Sequence, residues 1–187
     1  MPGFDDYKIV ALATPTLALE PLTAAHADEL FVPLCDPAMY AFIPQDPPKS
    51  PDALRERYRR LESRRSTNGE ELWLNWVVRR NAAAAGLIQA TGTKSHKALI
   101  AYEIFVPFQR RGIATEAVPA VLDHLRQAAG MNHATALVDT RNQRSIRLLE
   151  RLGFKRTRFI KDADNFKGSS SDEYEYERDL NAPLLSA

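Results

Sequence analysis

The chain has 187 residues, enough for one domain with a sizeable core. Its composition, 44% hydrophobic and 26% charged, is that of an ordinary soluble globular protein. A formal net charge of +1 is neutral on a nucleic-acid partner, but the lack of an arginine stripe interleaved with aromatics argues against one. Cys35 is the only cysteine, which excludes an intrachain disulfide and fits a reducing compartment. No apolar run approaches the roughly 20 residues that span a bilayer. Residues 1–8 are polar and acidic rather than signal-like. A cytoplasmic protein with no membrane association is expected.

Residues 17–22 alternate apolar and polar, as a half-buried strand does. Thr23 is placed to cap a helix with apolar positions Ala27, Leu30, Phe31 and Leu34, and Cys35 reads as a buried residue of it. A loop with Pro44, Pro47 and Pro48 follows. Ser50 then caps a second helix with Pro51 at its first position, where the missing N–H costs nothing. Leu54, Tyr58 and Leu61 form its apolar stripe, and its arginines read as a solvated face.

Residues 72–78 read as a strand, 81–85 as a turn, 86–90 as a second strand and 99–106 as a third, ended by a glycine loop. The next helix places Ile113, Ala117, Ala120, Val121 and Leu125 on one face. Pro119 predicts a kink past its first turn, and Gly130 marks its end. Residues 135–140 form a strand. Asn142 caps a short helix with Ile146, Leu149 and Leu152 on its core side, and Gly153 ends it in a left-handed turn. Strands at 154–160 and 172–178 follow, around a flexible loop at 168–171. In the last strand Tyr174 and Tyr176 share one face, and Glu173, Glu175 and Glu177 the other. This order predicts an α/β (α+β) sandwich: a mixed, mostly antiparallel sheet flanked by helices. It forms one domain over 1–187, with its core about 16–180.

The run Gln109-Arg110-Arg111-Gly112-Ile113-Ala114 lies between a strand and a helix start. The first N–H groups of a helix lack intrahelical partners, and the helix dipole adds partial positive charge there. Gly112 admits close backbone approach, and Arg110 and Arg111 add full charges. The natural guest is a phosphate.

Gln-x-x-Gly-x-Ala is also the pyrophosphate-loop motif of the GCN5-related N-acetyltransferases. With Glu103-Ile104-Phe105-Val106-Pro107 before it, and Asn142-Gln143-Arg144-Ser145-Ile146 through Leu152-Gly153-Phe154 after it, the chain resembles that family, and within it the RimJ/RimL-like branch. The resemblance implies the same fold and acetyl-CoA as cosubstrate. Backbone N–H groups of Arg111, Gly112, Ile113 and Ala114 would hold the pyrophosphate, with Arg110 and Thr115 flanking. Ile104, Phe105 and Val106 would offer backbone to the pantetheine arm, in a gap where this strand and the 135–140 strand splay apart. Asn142 would contact the pantetheine and Ser145 would lie near the thioester sulfur, although helix capping alone explains both residue types.

The sequence departs from much of the family at two places. A tyrosine that protonates the thiolate is replaced by Leu149, and a catalytic glutamate of one N-terminal acetyltransferase branch by Leu137. Glu103, on the strand beside the thioester, remains as base candidate against the alternative of an exposed strand residue. Ser145 or water remains as acid. Asp162, Asp164, Asp172, Glu173, Glu175 and Glu177 form an acidic rim that could attract a cationic acceptor or merely be solvated. His26, His96, His124 and His133 lack metal-ligand spacing, so no metal is expected. Trp73 and Trp76 must face opposite sides of their strand, and either could line the acceptor cleft.

The expected activity is transfer of an acetyl group to a primary amine by direct attack. A site without a strong dedicated base suits an α-amino group, with a pKa near 7.7–8.0, better than a lysine near 10.4. A protein or peptide N-terminus is therefore the favoured acceptor. The alternatives are a non-catalytic CoA-binding sensor module and a small-molecule acetyltransferase acting on a polyamine or aminoglycoside. Either a monomer or a homodimer fits.

Overall fold

In the computed structural model, residues 7–166 and 168–182 are described. Strands β1 (Leu12–Ala13) and β2 (Ala18–Pro21) lead into helix α1 (Ala27–Leu34), and the proline-rich loop into α2 (Pro51–Glu62). Three long strands follow: β3 (Glu71–Arg80), β4 (Ala83–Thr93) and β5 (Lys97–Ile104). Helix α3 (Ile113–Gln127), β6 (His133–Asp139), α4 (Gln143–Arg151), β7 (Lys155–Phe166) and β8 (Ser169–Asp179) complete the order. All strands join one sheet in the order β1-β2-β3-β4-β5-β6-β8-β7. Among the described residues only β5 and β6 pair in parallel. This is the mixed, mostly antiparallel sheet that the pattern predicts.

Strand alternation divides the core into two layers. Leu72, Leu74, Trp76 and Val78 of β3 face α3 and α4, where they meet Ile113, Ala117, Val121, Leu125, Ile146 and Leu149. Val77 turns to the other face and packs with Leu30, Leu34, Leu54 and Tyr58 of α1 and α2. Burial of each such side chain contributes about 1.5–3 kcal/mol. Ser50 caps α2 as expected, its Oγ accepting from Ala53 N at 3.1 Å. Asn142 caps α4, its Oδ1 accepting from Ser145 N at 3.2 Å.

Several local expectations need correction. The turn predicted at 81–85 is only two residues long: Asn81 and Ala82 take positive φ, so β4 starts at Ala83. The strand predicted at 99–106 stops at Ile104, because Val106–Phe108 coils into a 3-10 turn with Pro107 inside it. The loop predicted at 168–171 narrows to a turn at Gly168, and Ser170 and Ser171 pair with Asn165 and Asp164. Cys35 is not inside α1 but follows its last residue, and it is half-buried. Helix α3 runs on through Pro119, past which Val121, Leu122 and Leu125 anchor it in the core. The two-residue β1 carries too little pattern to be legible.

Candidate active site

The candidate anion site lies in the loop from β5 to α3. Gln109 folds back so that its side-chain N–H donates to Ile104 O at 3.0 Å. Arg110 and Gly112 both take left-handed backbone angles, φ 60° and 77°. Gly112 is the N-cap of α3 and has no side chain to cap it. Glu116 N is the first to bond back, to Gly112 O at 3.0 Å. The N–H groups of Ile113, Ala114 and Thr115 therefore have no intrahelical partner. Among the described residues, no heavy atom beyond the adjoining backbone lies within 4 Å of the position a Cβ on Gly112 would take, so there is open room against this backbone. Arg110 and Arg111 are exposed beside it. Arg80 Nη1 donates to Arg111 O at 3.2 Å, tying the loop to the end of β3. The carboxylate of Glu116 anchors the chain before β2, accepting from Thr16 N at 2.8 Å and Thr16 Oγ1 at 2.7 Å.

A cleft opens next to this loop. β5 and β6 pair only at Lys97, Ala98 and Leu99, opposite His133, Ala134 and Thr135. Beyond those pairs the two strands part from each other toward Ile104 and Asp139 while staying paired to β4 and β8, the splay expected for a cofactor arm. Phe105 spends its N–H on Ala85 O at 2.9 Å, and its side chain is buried. Antiparallel alternation then turns the backbone of Ile104, rather than that of Phe105, toward the gap. Across the gap Tyr102 Oη and Ser145 Oγ lie 2.7 Å apart. Burial pushes the Tyr102 phenol up to about 12, so it stays protonated at neutral pH. The turn presenting Asn142 and Ser145 is held by buried Asp139, which accepts from Arg141 N at 2.8 Å and from its guanidinium. Despite the burial, these bonds keep the Asp139 carboxyl below its ordinary range.

Glu103 lies on the opposite face of β5 from Tyr102, toward α1 and α2. It is half-buried rather than exposed. Burial raises its carboxyl above the usual range, partly opposed by the charge of Arg57. It lines a small cavity with Tyr40, Arg57, Tyr58, Asn75 and Gln89. Leu149, at the usual acid position, is 1% exposed and serves the core, and Leu137 is an exposed apolar residue. In the acidic rim Glu175 pairs with Arg158 at 2.9 Å and Glu177 with Lys97 at 3.3 Å. Trp76 is sealed in the core, its indole N–H donating to Val10 O at 2.9 Å, and Trp73 is half-buried. His26 pairs with Glu20 at 2.9 Å and His124 with Tyr7. Among the described residues no three His, Cys, Asp or Glu side chains are grouped to hold a metal. Likewise no helix is long and apolar enough to cross a membrane.

Sequence reasoning does not single out Tyr102, Arg80, Arg57 and Tyr58, which the structure places beside the candidate site. Tyr102 and Tyr58 look like core aromatics at their strand and helix periods, and Arg57 and Arg80 like surface charge. Only Asn75, a polar residue inside the run Leu-Trp-Leu-Asn-Trp-Val-Val, signals a polar pocket on that face.

The acetyltransferase (GNAT) domain model matches residues 16–155. Similar solved structures include RimL, a ribosomal L7/L12 α-N-protein acetyltransferase in complex with coenzyme A. It is 19% identical over 94% of this chain and 100% of that one, with a TM-score of 0.83. A Salmonella typhimurium acetyl transferase that modifies the N-terminal serine of 50S ribosomal protein L7/L12 is 19% identical, over 89% and 96%, with a TM-score of 0.78. Mycobacterium smegmatis RimJ in complex with a CoA-disulfide is also 19% identical, over 90% and 85%, at 0.78. At such identities the likeness establishes the fold. No curated protein matches the sequence.

Proposed function

We propose, for a chain that belongs to the GNAT family and is an acetyl-CoA-dependent N-acetyltransferase, that its acceptor is the α-amino group of a protein or peptide. The carrying observation is Glu103: a half-buried carboxylate whose proton affinity is raised, at the end of the strand that borders the gap. Such a group can take a proton from an ammonium of pKa near 8 far more readily than from a lysine near 10.4. The likeness to RimL, an α-N-protein acetyltransferase, and to the Salmonella typhimurium enzyme that modifies an N-terminal serine supports the same class of acceptor.

The chain's own residues fit the cosubstrate. The unpaired N–H groups of Ile113, Ala114 and Thr115, the open room at Gly112, and the Arg110 and Arg111 charges would hold the pyrophosphate. Ile104, Val106 and Asn142 would border the pantetheine arm. Bound acetyl-CoA supplies an activated acetyl thioester. Glu103 Oε accepts the proton of the amine. On the other face Ser145 Oγ, hydrogen-bonded to Tyr102 Oη, holds a proton at the gap. The small-molecule reading loses support because Glu175 and Glu177, half of the acidic rim's last strand, already pair with Arg158 and Lys97 and so attract a polycation less.

The test is calorimetric binding of acetyl-CoA to the native chain and to Gly112→Asp, followed by rates on peptide N-termini and on lysine side-chain amines. Binding that the variant loses, with peptides acetylated faster, is the expected result. Equal rates on both amines would sink the N-terminal reading.

A further inference from the structure

Asn75, Gln89 and Glu103 come from three adjacent strands and line the cavity under α2. Asn75 and Gln89 are direct cross-strand partners, and Gln89 pairs with Ala101, two residues from Glu103. This polar row interrupts an otherwise apolar layer in which Leu22, Leu34 and Leu54 are buried. Tyr58 closes the cavity from α2. Its residue is 2% exposed, and its hydroxyl, itself buried, has no hydrogen-bond partner among the described residues. The neighbouring Tyr40 is different, because its hydroxyl donates to Leu34 O at 2.7 Å. A buried hydroxyl without a partner destabilises a fold, so its retention calls for an explanation. The cavity measures about 30 Å³. One water needs roughly 10–15 Å³ on the same measure, so two or three non-hydrogen atoms fit and a branched or aromatic side chain does not.

We infer that this cavity receives the first side chain of the peptide acceptor, and that the Tyr58 hydroxyl selects a compact side chain able to hydrogen-bond. The inference rests on the N-terminal reading above and deepens it. Glu103 forms part of both the cavity wall and the proposed proton-accepting site, so an amine near Glu103 carries its own side chain toward Tyr58. A pocket built around a hydrogen bond discriminates against the analogue that lacks it, because its polar groups are then left unpaired.

The experiment measures kcat/KM on peptides identical except for a first residue of Ser, Ala, Gly, Leu or Phe, with the native chain, Tyr58→Phe and Tyr58→Leu. The native chain should prefer Ser over Ala by about 10-fold, and act poorly on Leu and Phe. Tyr58→Phe should bring the Ser and Ala rates together, the Ser rate falling by more than the Ala rate. Its melting temperature should not fall, since no hydrogen bond is lost. Tyr58→Leu should raise the Leu rate relative to Ser, because it enlarges the cavity. An unchanged Ser-to-Ala ratio in Tyr58→Phe, as for a hydroxyl satisfied by a permanent water, overturns the inference while leaving the N-terminal reading intact. Acetyl-CoA binding with turnover on small polyamines and none on any peptide overturns both.

Discussion

Gly86 of β4 pairs with Ile104, the last residue of β5. An ideal Cβ at Gly86 would stand 2.3 Å from Glu103 O and 3.0 Å from Ile104 Cα, both backbone atoms. Reaching an ordinary contact requires the end of β5 to move by about 1 Å. Overpacking of this kind costs about 1–3 kcal/mol. Restricting the unfolded chain returns about 0.4–1 kcal/mol of that. The net loss for Gly86→Ala is therefore about 1–2 kcal/mol, or roughly a 2–8 °C fall in melting temperature for a chain of this size. The catalytic loss should be larger in proportion, because the displaced segment carries Glu103 and precedes the anion loop. A 1 Å misplacement can cost on the order of 100-fold in rate. Gly92, on the same strand, supplies the control. A Cβ there would come too close only to Met131 Cε, at 2.7 Å, the end of an adaptable side chain, and would make ordinary contacts with Met131 Sδ and Leu72 Cβ, at the far end of the β4–β5 ladder. Melting curves and kcat/KM, both well below the melting temperature, check the pair. A Gly86→Ala variant with native kcat/KM would refute the claim that this strand end positions the reaction. Equal activity losses in both variants would reduce the effect to general destabilisation.

Glu103→Gln should lower kcat/KM by about 100-fold or more and abolish the acid limb of its pH profile, which in the native chain lies above the usual carboxylate range. Its effect on stability has the opposite sign. Burial raises the folded pKa, so the stability linked to this group is fully present below the unfolded pKa and lost as pH rises through the folded one. At neutral pH Glu103→Gln should therefore melt higher than the native chain, and a lower melting point there would contradict the burial argument. Tyr102→Phe removes the bond to Ser145 Oγ without moving the backbone. We expect kcat to fall about 10-fold with KM for acetyl-CoA unchanged. A matching rise in KM would instead make Tyr102 a cofactor-binding residue.

The sequence discloses most of this fold because its signals are local. Ser50 and Asn142 cap the helices they precede, and the alternation of Leu72, Leu74 and Trp76 with Asn75 and Val77 assigns the two faces of β3. The turn from β5 into α3 is equally legible, since a glycine and a helix start are contiguous. What escaped depends on distant pairing. Ser170 and Ser171 look like loop residues until Asn165 and Asp164 are set opposite them. Arg80 reads as surface charge until the fold brings Arg111 O within 3.2 Å, 31 positions away. Tyr102 and Ser145, 43 positions apart, meet only because β5 and β6 part after three pairs.

The leucines at the two usual catalytic positions follow from where this chain keeps its polar groups. Leu149 is 1% exposed in the layer shared with Ile146 and Ile113, so a tyrosine there would need both volume and a hydrogen-bond partner that this layer does not offer. The polar load sits on β5 instead. Its alternation sends Tyr102 toward Ser145 and Glu103 toward Arg57 and Tyr58. In the proposed mechanism the proton-accepting carboxylate and the proton-holding hydroxyl pair are sequence neighbours separated by the sheet itself. They cannot hydrogen-bond to each other, so Glu103 can accept from the amine without first drawing the proton held at Ser145. Moving the carboxylate one position along β5 would bring it to the Ser145 side, so Glu103→Gln combined with Ile104→Glu should not recover activity. Recovery above a few per cent of the native rate would refute this division between the two faces.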